Sequence, residues 1–207
     1  MFTIGITGGT GAGKTSALRA IETLGALALD CDAVYHELLE GNADLKDDLE
    51  ARFKGVLRDG AIDRKRLGEI VFSDPSALID LNAVTHKYVG NELARRIAEW
   101  ESQGGKIVAI DAIALIESGR AKKCDVVVGV TASAETRISR IMARDGITRD
   151  QAEMRINAQK PDSFFKEHCD YLLEGNYAKL EEFEEKCAAF FREIIETYFS
   201  GKHSPDA

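Results

Sequence analysis

Gly8-Gly9-Thr10-Gly11-Ala12-Gly13-Lys14-Thr15 is the stretch that decides the fold of this chain, because it matches G-x-x-x-x-G-K-[ST] at every position. The run from Phe2 to Thr7 before it is apolar and β-branched, as in a buried strand. After it, apolar residues recur at helical spacing at Ala17, Leu18, Ile21 and Leu24. Strand, loop and helix in this order predict a phosphate-binding loop. The alternative is a glycine-rich turn that binds nothing.

The loop predicts how a nucleotide is bound. Glycines let the backbone wrap an anion, and successive N–H groups point at the phosphates together with the positive end of the following helix. Lys14 is expected to reach the β- and γ-phosphates, and Thr15 to offer its hydroxyl to Mg²⁺. The predicted ATP-binding residues are Gly9, Thr10, Gly11, Ala12, Gly13, Lys14, Thr15 and Ser16.

Composition restricts the possible partners. The chain has 207 residues, 44% of them hydrophobic, and a net charge of -8, which suits one α/β core with helical appendages and argues against nonspecific nucleic-acid binding. No apolar run is long enough to cross a bilayer and the first residues enter a strand at once, so we expect a cytoplasmic protein with no membrane partner. The four cysteines are widely spaced, which predicts reduced, mostly buried thiols.

A second strand is predicted over Ala26 to Asp30, with Asp30 and Asp32 at its carboxyl end. Ligands of open α/β sheets lie at that end of the strands. An aspartate facing the γ-phosphate can accept the proton of an attacking hydroxyl, and Asp32 is the candidate. The alternative is that Asp32 only caps a helix that starts near Ala33.

Residues 33–104 read as helical, with no strong strand candidate, and predict a separate acceptor-binding subdomain. Asp74-Pro75 has the form of a helix start, and a later helix is expected from near Thr85 to Trp100. His86 falls at the start of that later helix, where capping or core packing is its default role. The basic cluster Arg64-Lys65-Arg66 suits either an anionic substrate or a solvated helix face.

Lys106 to Asp111 is an apolar strand that ends in an aspartate. Enzymes with this loop place such a carboxylate near the water shell of Mg²⁺, so Asp111 is a candidate for a water-mediated contact. A purely structural aspartate at a strand end is the alternative. Another buried strand is expected over Cys124 to Val130, with Ser133 as the N-cap of the next helix.

Arg137, Arg140 and Arg144 share one face of that helix. Thr148 to Gln151 has the form of a capping box for a second short helix, which is expected to carry Arg155 and Gln159 and to end at Lys160-Pro161. Two short helices around a glycine-containing hinge predict a lid that closes over phosphates. A solvent-facing helix with incidental arginines is the alternative.

Several motifs occur together along nearly the whole chain. They are Thr7-Gly8-Gly9 with the lysine-containing loop, Leu29-Asp30-Cys31-Asp32, Ile70-Val71-Phe72-Ser73-Asp74-Pro75, His86, Asp111 with Glu117, Arg140 to Asp145-Gly146, and Ala158-Gln159. In this order and spacing they resemble the dephospho-CoA kinase family. The loop is common to many families, whereas the combination of Asp-x-Asp, Val-Phe-x-Asp-Pro and Arg-Asp-Gly is much more specific.

The resemblance implies transfer of the γ-phosphate of ATP to the ribose 3′-hydroxyl of dephospho-CoA, the last step of coenzyme A synthesis. It implies catalytic roles for Asp32, Lys14 and Arg140, an acceptor site with Asp32, His86 and Asp111, and Mg²⁺ held by Thr15 and, through water, by Asp111. The sequence departs from the family pattern at Ile113-Ala114-Leu115, at His86-Lys87 and at Leu173-Glu174-Gly175-Asn176-Tyr177.

The expected fold is the three-layer α/β/α fold of P-loop NTPases, with a parallel sheet, a helical substrate-binding insertion and a small helical lid. The predicted parts are a nucleotide-binding core over 1–32, 105–135 and 165–200, an acceptor domain over 33–104, a lid over 136–164 and a disordered tail over 201–207. Tyr171 to Glu174 is expected as the last strand, and a final helix with a broad apolar face is expected from about Ala178 to Phe199.

Two other functions fit part of this pattern. A related P-loop kinase that phosphorylates another nucleoside-like or small alcohol shares the loop, the aspartate and the lid. A nucleotide-dependent switch or binding module shares only the loop. A GTPase switch is expected to carry N-K-x-D, which the sequence does not contain.

Overall fold

The computed structural model describes residues 1–177 and 179–201. Its backbone contacts divide the chain into two units. The first contains Met1–Leu29 and the chain from Gly104 onward, and the second contains Asp30–Gln103.

Strands and helices are numbered in chain order. The strands are β1 (Phe2–Gly8), β2 (Leu27–Asp30), β3 (Leu57–Arg58), β4 (Ala61–Ile62), β5 (Ile107–Asp111), β6 (Val126–Thr131) and β7 (Tyr171–Glu174). The helices are α1 (Lys14–Glu22), α2 (Cys31–Gly41), α3 (Ala43–Arg52), α4 (Arg64–Ser73), α5 (Pro75–Ser102), α6 (Ala134–Asp145), α7 (Arg149–Asn157), α8 (Asp162–His168) and α9 (Leu180–Phe199).

The first unit is built on a five-stranded sheet of order β2-β5-β1-β6-β7. Strand β1 is parallel to β5 and to β6, and β6 is parallel to β7. The register places Ile6 beside Asp111 and Gly8 beside Val130. The carboxyl ends of β1, β5 and β6 therefore lie together, where the glycine-rich loop begins. The predicted parallel sheet is confirmed.

Helices cover both faces of this sheet, as predicted for a three-layer fold. Alternate residues of β1, Ile4 and Ile6, belong to the apolar core that contains buried residues of α1 and α9. On the opposite face, the side chain of Leu115 packs where a Cβ of Gly5 would lie. The side chain of Phe165 in α8 packs in the same way against Gly129. Helix α8 was not predicted, because its seven residues are too few to show a clear helical period.

Helix α9 buries one face against the first unit. Its buried residues recur every three or four positions, at Phe183, Cys187, Phe191 and Ile194. Fully burying an aromatic or aliphatic side chain of this kind contributes roughly 1.5–3 kcal/mol, so this face stabilises the sheet strongly. The helix was predicted to start at about Ala178, which lies outside the described residues, as does the predicted tail apart from Gly201.

The second unit contains α2 to α5 and one hairpin, β3-β4. The expectation that 33–104 has no strand is therefore wrong. The hairpin turns at Asp59 and Gly60, which both have positive φ, 50° and 78°. An Asp-Gly pair favours such a turn, but each strand is two residues long, too short for an alternating pattern.

Helix α5 is one continuous helix of 28 residues. Asp74 caps it by accepting a hydrogen bond from Ser76 N, and Pro75 is its first residue, as predicted for a helix start. The expected separate helix from near Thr85 is wrong, because no proline or N-cap interrupts the helix between Pro75 and Ser102. His86 consequently lies exposed within α5 and does not cap a helix.

All four cysteines are free thiols, as predicted, but only Cys187 is fully buried. The expectation that they are mostly buried is wrong, since Cys31, Cys124 and Cys169 are half-buried. Among residues 1–177 and 179–201, no helix has the length and apolar character needed to cross a membrane.

Candidate active site

The glycine-rich loop connects β1 to α1 as predicted. Gly8 has φ 144°, and a Cβ there would overlap the carbonyl oxygen of Val130 in β6. Gly13 is the N-cap residue of α1, with φ 115° and no side-chain cap. Glycine is needed at both positions, because other residues adopt this conformation only with strain.

The N-terminus of α1 is suited to bind an anion. No side chain caps its first N–H groups, and its first turn contains no acidic residue. Lys14 and Thr15 occupy this turn, with Lys14 half-buried and Thr15 exposed. Exposed N–H donors at the positive end of a helix attract phosphate, so the predicted use of Lys14 and Thr15 is compatible with their placement.

Two side chains from outside the loop hold Thr10. Arg137 Nε donates to the carbonyl oxygen of Thr10 at 2.9 Å, and Gln159 Oε1 accepts from Thr10 N at 2.9 Å. Gln159 Nε2 donates to Thr10 Oγ1 at 2.7 Å, and Arg137 Nη2 donates to Gln159 Oε1 at 2.7 Å. A Cβ on Gly9 would overlap the guanidinium of Arg137. The loop is thus fixed by residues more than 120 positions away in sequence.

Arg140 binds the next part of the loop. Its Nη1 is 3.2 Å from the carbonyl oxygen of Gly11 and 3.4 Å from that of Ala12, and its Nη2 donates to the carbonyl oxygen of Gly175 at 2.8 Å. These contacts use the carbonyl side of the loop, whereas a bound phosphate uses the N–H side. The predicted contact of Arg140 with phosphate stays a prediction.

Burial lowers the pKa of both Arg137 and Arg140 below the usual arginine value. A nearby carboxylate, Asp162, opposes this effect at Arg137. Arginine keeps its proton at neutral pH in proteins, so both side chains place fixed positive charge beside the loop.

The third arginine of the predicted stripe has a different partner. Arg144 Nε donates to Asp145 Oδ1 at 2.7 Å, and Arg155 pairs with the same carboxylate. These hydrogen bonds, that from Arg144 first, lower the pKa of Asp145 to about 2. The capping box of α7 is confirmed at Thr148 and Gln151, and Ser133 is confirmed as the N-cap of α6.

Asp111 is the last residue of β5 and is buried. It lies beside Ile6 of β1, and the following residue, Ala112, donates from N to the carbonyl oxygen of Ile6 at 3.1 Å. Asp111 therefore belongs to the sheet edge from which the loop starts. Its predicted contact with a metal-bound water stays a prediction.

A cleft of about 330 Å³ opens beside the first two glycines of the loop. Its lining residues are Gly8, Gly9, Ile113, Glu117, Ala158, Gln159, Lys160 and Phe165. Neither Lys160 nor Phe165 was a predicted site residue. Phe165 could not be placed from the sequence, because α8, which carries it, was not predicted. The only signal for Glu117 was the family resemblance.

Two predicted site residues, Asp32 and His86, belong to the second unit. Asp32 lies exposed in the first turn of α2. The N-cap of α2 is Asp30, which accepts from Asp32 N at 2.8 Å and from Ala33 N at 3.1 Å. The alternative in which Asp32 serves only as the helix cap is therefore wrong. The joint acceptor role of Asp32, His86 and Asp111 stays a prediction.

Known proteins resemble the chain over most of its length. A dephospho-CoA kinase of Geobacter sulfurreducens is 40% identical over 163 residues, which cover 78% of this chain and 83% of that protein. A dephospho-CoA kinase of Thermobifida fusca is 34% identical over 196 residues, 94% of this chain and 96% of the other.

Solved structures and a family model agree with these relatives. The crystal structure of TT1252 from Thermus thermophilus has a TM-score of 0.79 and 31% identity, and covers 93% of this chain and 97% of its own. The family model described as CoaE, Dephospho-CoA kinase, matches residues 2–181. The kinase class, the P-loop NTPase fold and the resemblance predicted from the motifs are confirmed. The chain belongs to the dephospho-CoA kinase family.

Proposed function

We propose that this protein transfers the γ-phosphoryl group of ATP to the ribose 3′-hydroxyl of dephospho-CoA, giving CoA and ADP. The observation that carries the proposal is the loop from Gly8 to Thr15, which leads to uncapped N–H donors at the start of α1. Arg137, Arg140 and Gln159 hold the backbone of this loop by hydrogen bonds. Such a loop suits a polyphosphate. The acceptor is inferred from membership of the family.

The reaction needs one bond made and one broken. The 3′ oxygen of the acceptor forms a bond to the γ-phosphorus, the bond from that phosphorus to the β–γ bridging oxygen breaks, and ADP leaves. Asp32 takes the proton of the attacking hydroxyl. Lys14 and the N–H groups of the loop stabilise the charge on the transferred group.

The residues present fit Mg²⁺. The hydroxyl of Thr15 and the carboxylate of Asp111 are oxygen donors, which Mg²⁺ prefers. The described part of the chain has no cluster of three or more His, Cys, Asp or Glu that could form a complete metal site. When bound, Mg²⁺ would neutralise charge on the substrate phosphates.

An acceptor series tests the proposal. ATP consumption is measured with dephospho-CoA, with its 3′-deoxy analogue, with nucleosides and with pantothenate-type alcohols. We expect turnover with dephospho-CoA and none with the 3′-deoxy analogue. Turnover only with another alcohol would indicate a different P-loop kinase, and turnover independent of any acceptor would indicate a nucleotide switch.

A further inference from the structure

Gln159 joins the segment after α7 to the nucleotide loop. Its side-chain amide makes three hydrogen bonds, two to Thr10 and one to Arg137. Arginine can only donate, so the atom that faces Arg137 is the carbonyl oxygen of the amide. The amide nitrogen is then directed at the hydroxyl of Thr10, which fixes the orientation of Gln159.

The backbone of Thr10 is held on both sides. Gln159 accepts from its N–H group, and Arg137, only 5% exposed, donates to its carbonyl oxygen. Neither side chain belongs to the loop. The conformation of the loop at Thr10 therefore depends on Gln159 and Arg137 as well as on its own glycines.

We propose that Gln159 is a positioning residue for phosphoryl transfer, which acts through Thr10 to hold the loop in the geometry that the γ-phosphoryl group requires. The inference rests on the proposed function. Reacting groups must be held closely in place, and a displacement of about 1 Å caused at a distance can lower the rate about 100-fold.

Two substitutions separate geometry from charge. Gln159→Met keeps the length of the side chain and removes both polar atoms. Gln159→Glu keeps an acceptor for Thr10 N and for Arg137, and the Thr10 hydroxyl can rotate to donate to the carboxylate. The glutamate also adds a negative charge beside a site for a polyphosphate.

The expected results differ in kcat and KM. Gln159→Met should lower kcat about 10- to 100-fold, with a melting temperature within a few degrees of wild type. Gln159→Glu should keep kcat within about 3-fold and raise KM for ATP about 3- to 10-fold, and added salt should reduce that rise. Gln103→Met makes the same change at an exposed helix end and should leave both constants unchanged. An unchanged kcat in Gln159→Met, or an equal loss of kcat in both Gln159 variants, would overturn the proposal.

A double-mutant cycle tests whether Gln159 acts through Thr10. Thr10→Val removes the hydroxyl that Gln159 contacts. If the two residues act together, the double variant with Gln159→Met loses less than the product of the two single losses in kcat. Losses that multiply independently would contradict the proposed route.

Hydrogen exchange at the Thr10 amide needs no acceptor and separates this inference from the proposed function. With a non-hydrolysable ATP analogue bound, exchange should be faster in Gln159→Met than in wild type and unchanged in Gln159→Glu. A wild-type protein that makes no CoA would refute the proposed function while this comparison still decides the role of Gln159. Equal exchange in wild type and Gln159→Met would overturn the inference.

Discussion

Arg140 donates a hydrogen bond of 2.8 Å from Nη2 to the carbonyl oxygen of Gly175, the residue that follows β7. The same guanidinium contacts the carbonyl oxygens of Gly11 and Ala12. One side chain of α6 therefore ties the end of the edge strand to the nucleotide loop. Loss of the Arg140 side chain is therefore expected to change the conformation of the loop more than that of the rest of the fold.

Arg140→Ala should lower kcat about 10- to 100-fold, because the carbonyl oxygens of Gly11 and Ala12 lose their contact with this guanidinium and Gly175 O loses its donor. Steady-state kinetics with ATP and dephospho-CoA measure the effect. Arg144→Ala is the matched control on the same helix, since Arg144 is exposed and pairs with the adjacent Asp145. Equal turnover in Arg140→Ala and wild type would refute a role of Arg140 in the site.

Gly175→Ala should weaken ATP binding and lower stability by about 1–3 kcal/mol, because a Cβ there would overlap the carbonyl oxygen of Ala12 in the loop. Nucleotide titration and urea unfolding give the two quantities. Gly90→Ala is the control, because a Cβ at Gly90 in α5 has no packing neighbour within 4 Å. Alanine is favoured over glycine inside a helix, so this variant should be more stable by roughly 0.5–1 kcal/mol. A Gly175→Ala protein that binds ATP normally would show that the loop has room to move there.

Asp32→Asn should lower kcat by about 10²- to 10⁴-fold with little change in ATP affinity, because a proton acceptor acts in the transition state more than in ground-state binding. Asp44→Asn is a close control, since Asp44 is also an exposed acidic residue in the first turn of a helix. Rapid-quench kinetics separate the chemical step from product release. If Asp32→Asn retains full activity, another group must accept the proton.

Stability should fall as pH rises above the ordinary thiol range, in part through Cys187. Burial, followed by the nearby Glu184, raises the pKa of the Cys187 thiol to about 12. The unfolded chain releases this proton near its ordinary pKa of about 8.5. The thiol's contribution to the free energy of unfolding is therefore fully present below that pH and is lost progressively between it and about pH 12. Urea unfolding at pH 8, 9 and 10 should show the decline, and Cys187→Ala should make it shallower. An identical slope in the variant would exclude this thiol as a cause.

Much of the first unit could be predicted because its signals are local. The apolar strands, the loop and the caps at Ser133 and Thr148 are each written in fewer than ten consecutive residues, and the structure has them at these places. In the second unit, Asp74-Pro75 marked the start of α5 equally clearly. The length of α5 could not be predicted, because the same apolar periodicity fits one long helix or two shorter ones.

The support of the loop could not be predicted from spacing. Arg137 and Gln159 meet Thr10 only because α6 and the segment after α7 return to the loop, and no local pattern encodes that contact. Helical spacing placed Arg137, Arg140 and Arg144 on one face, yet the first two bind the loop and the third binds Asp145. A periodicity gives the face of a helix but not its partner.

Transfer of label from [γ-³²P]ATP to dephospho-CoA tests the central claim most directly, namely that the loop from Gly8 to Thr15 delivers the γ-phosphoryl group to a ribose hydroxyl. We predict that wild type produces labelled CoA with the label on the 3′ oxygen, and that Lys14→Met, which removes the loop ammonium, produces little or none. Label found only in inorganic phosphate, or equal CoA labelling by wild type and Lys14→Met, would contradict the account.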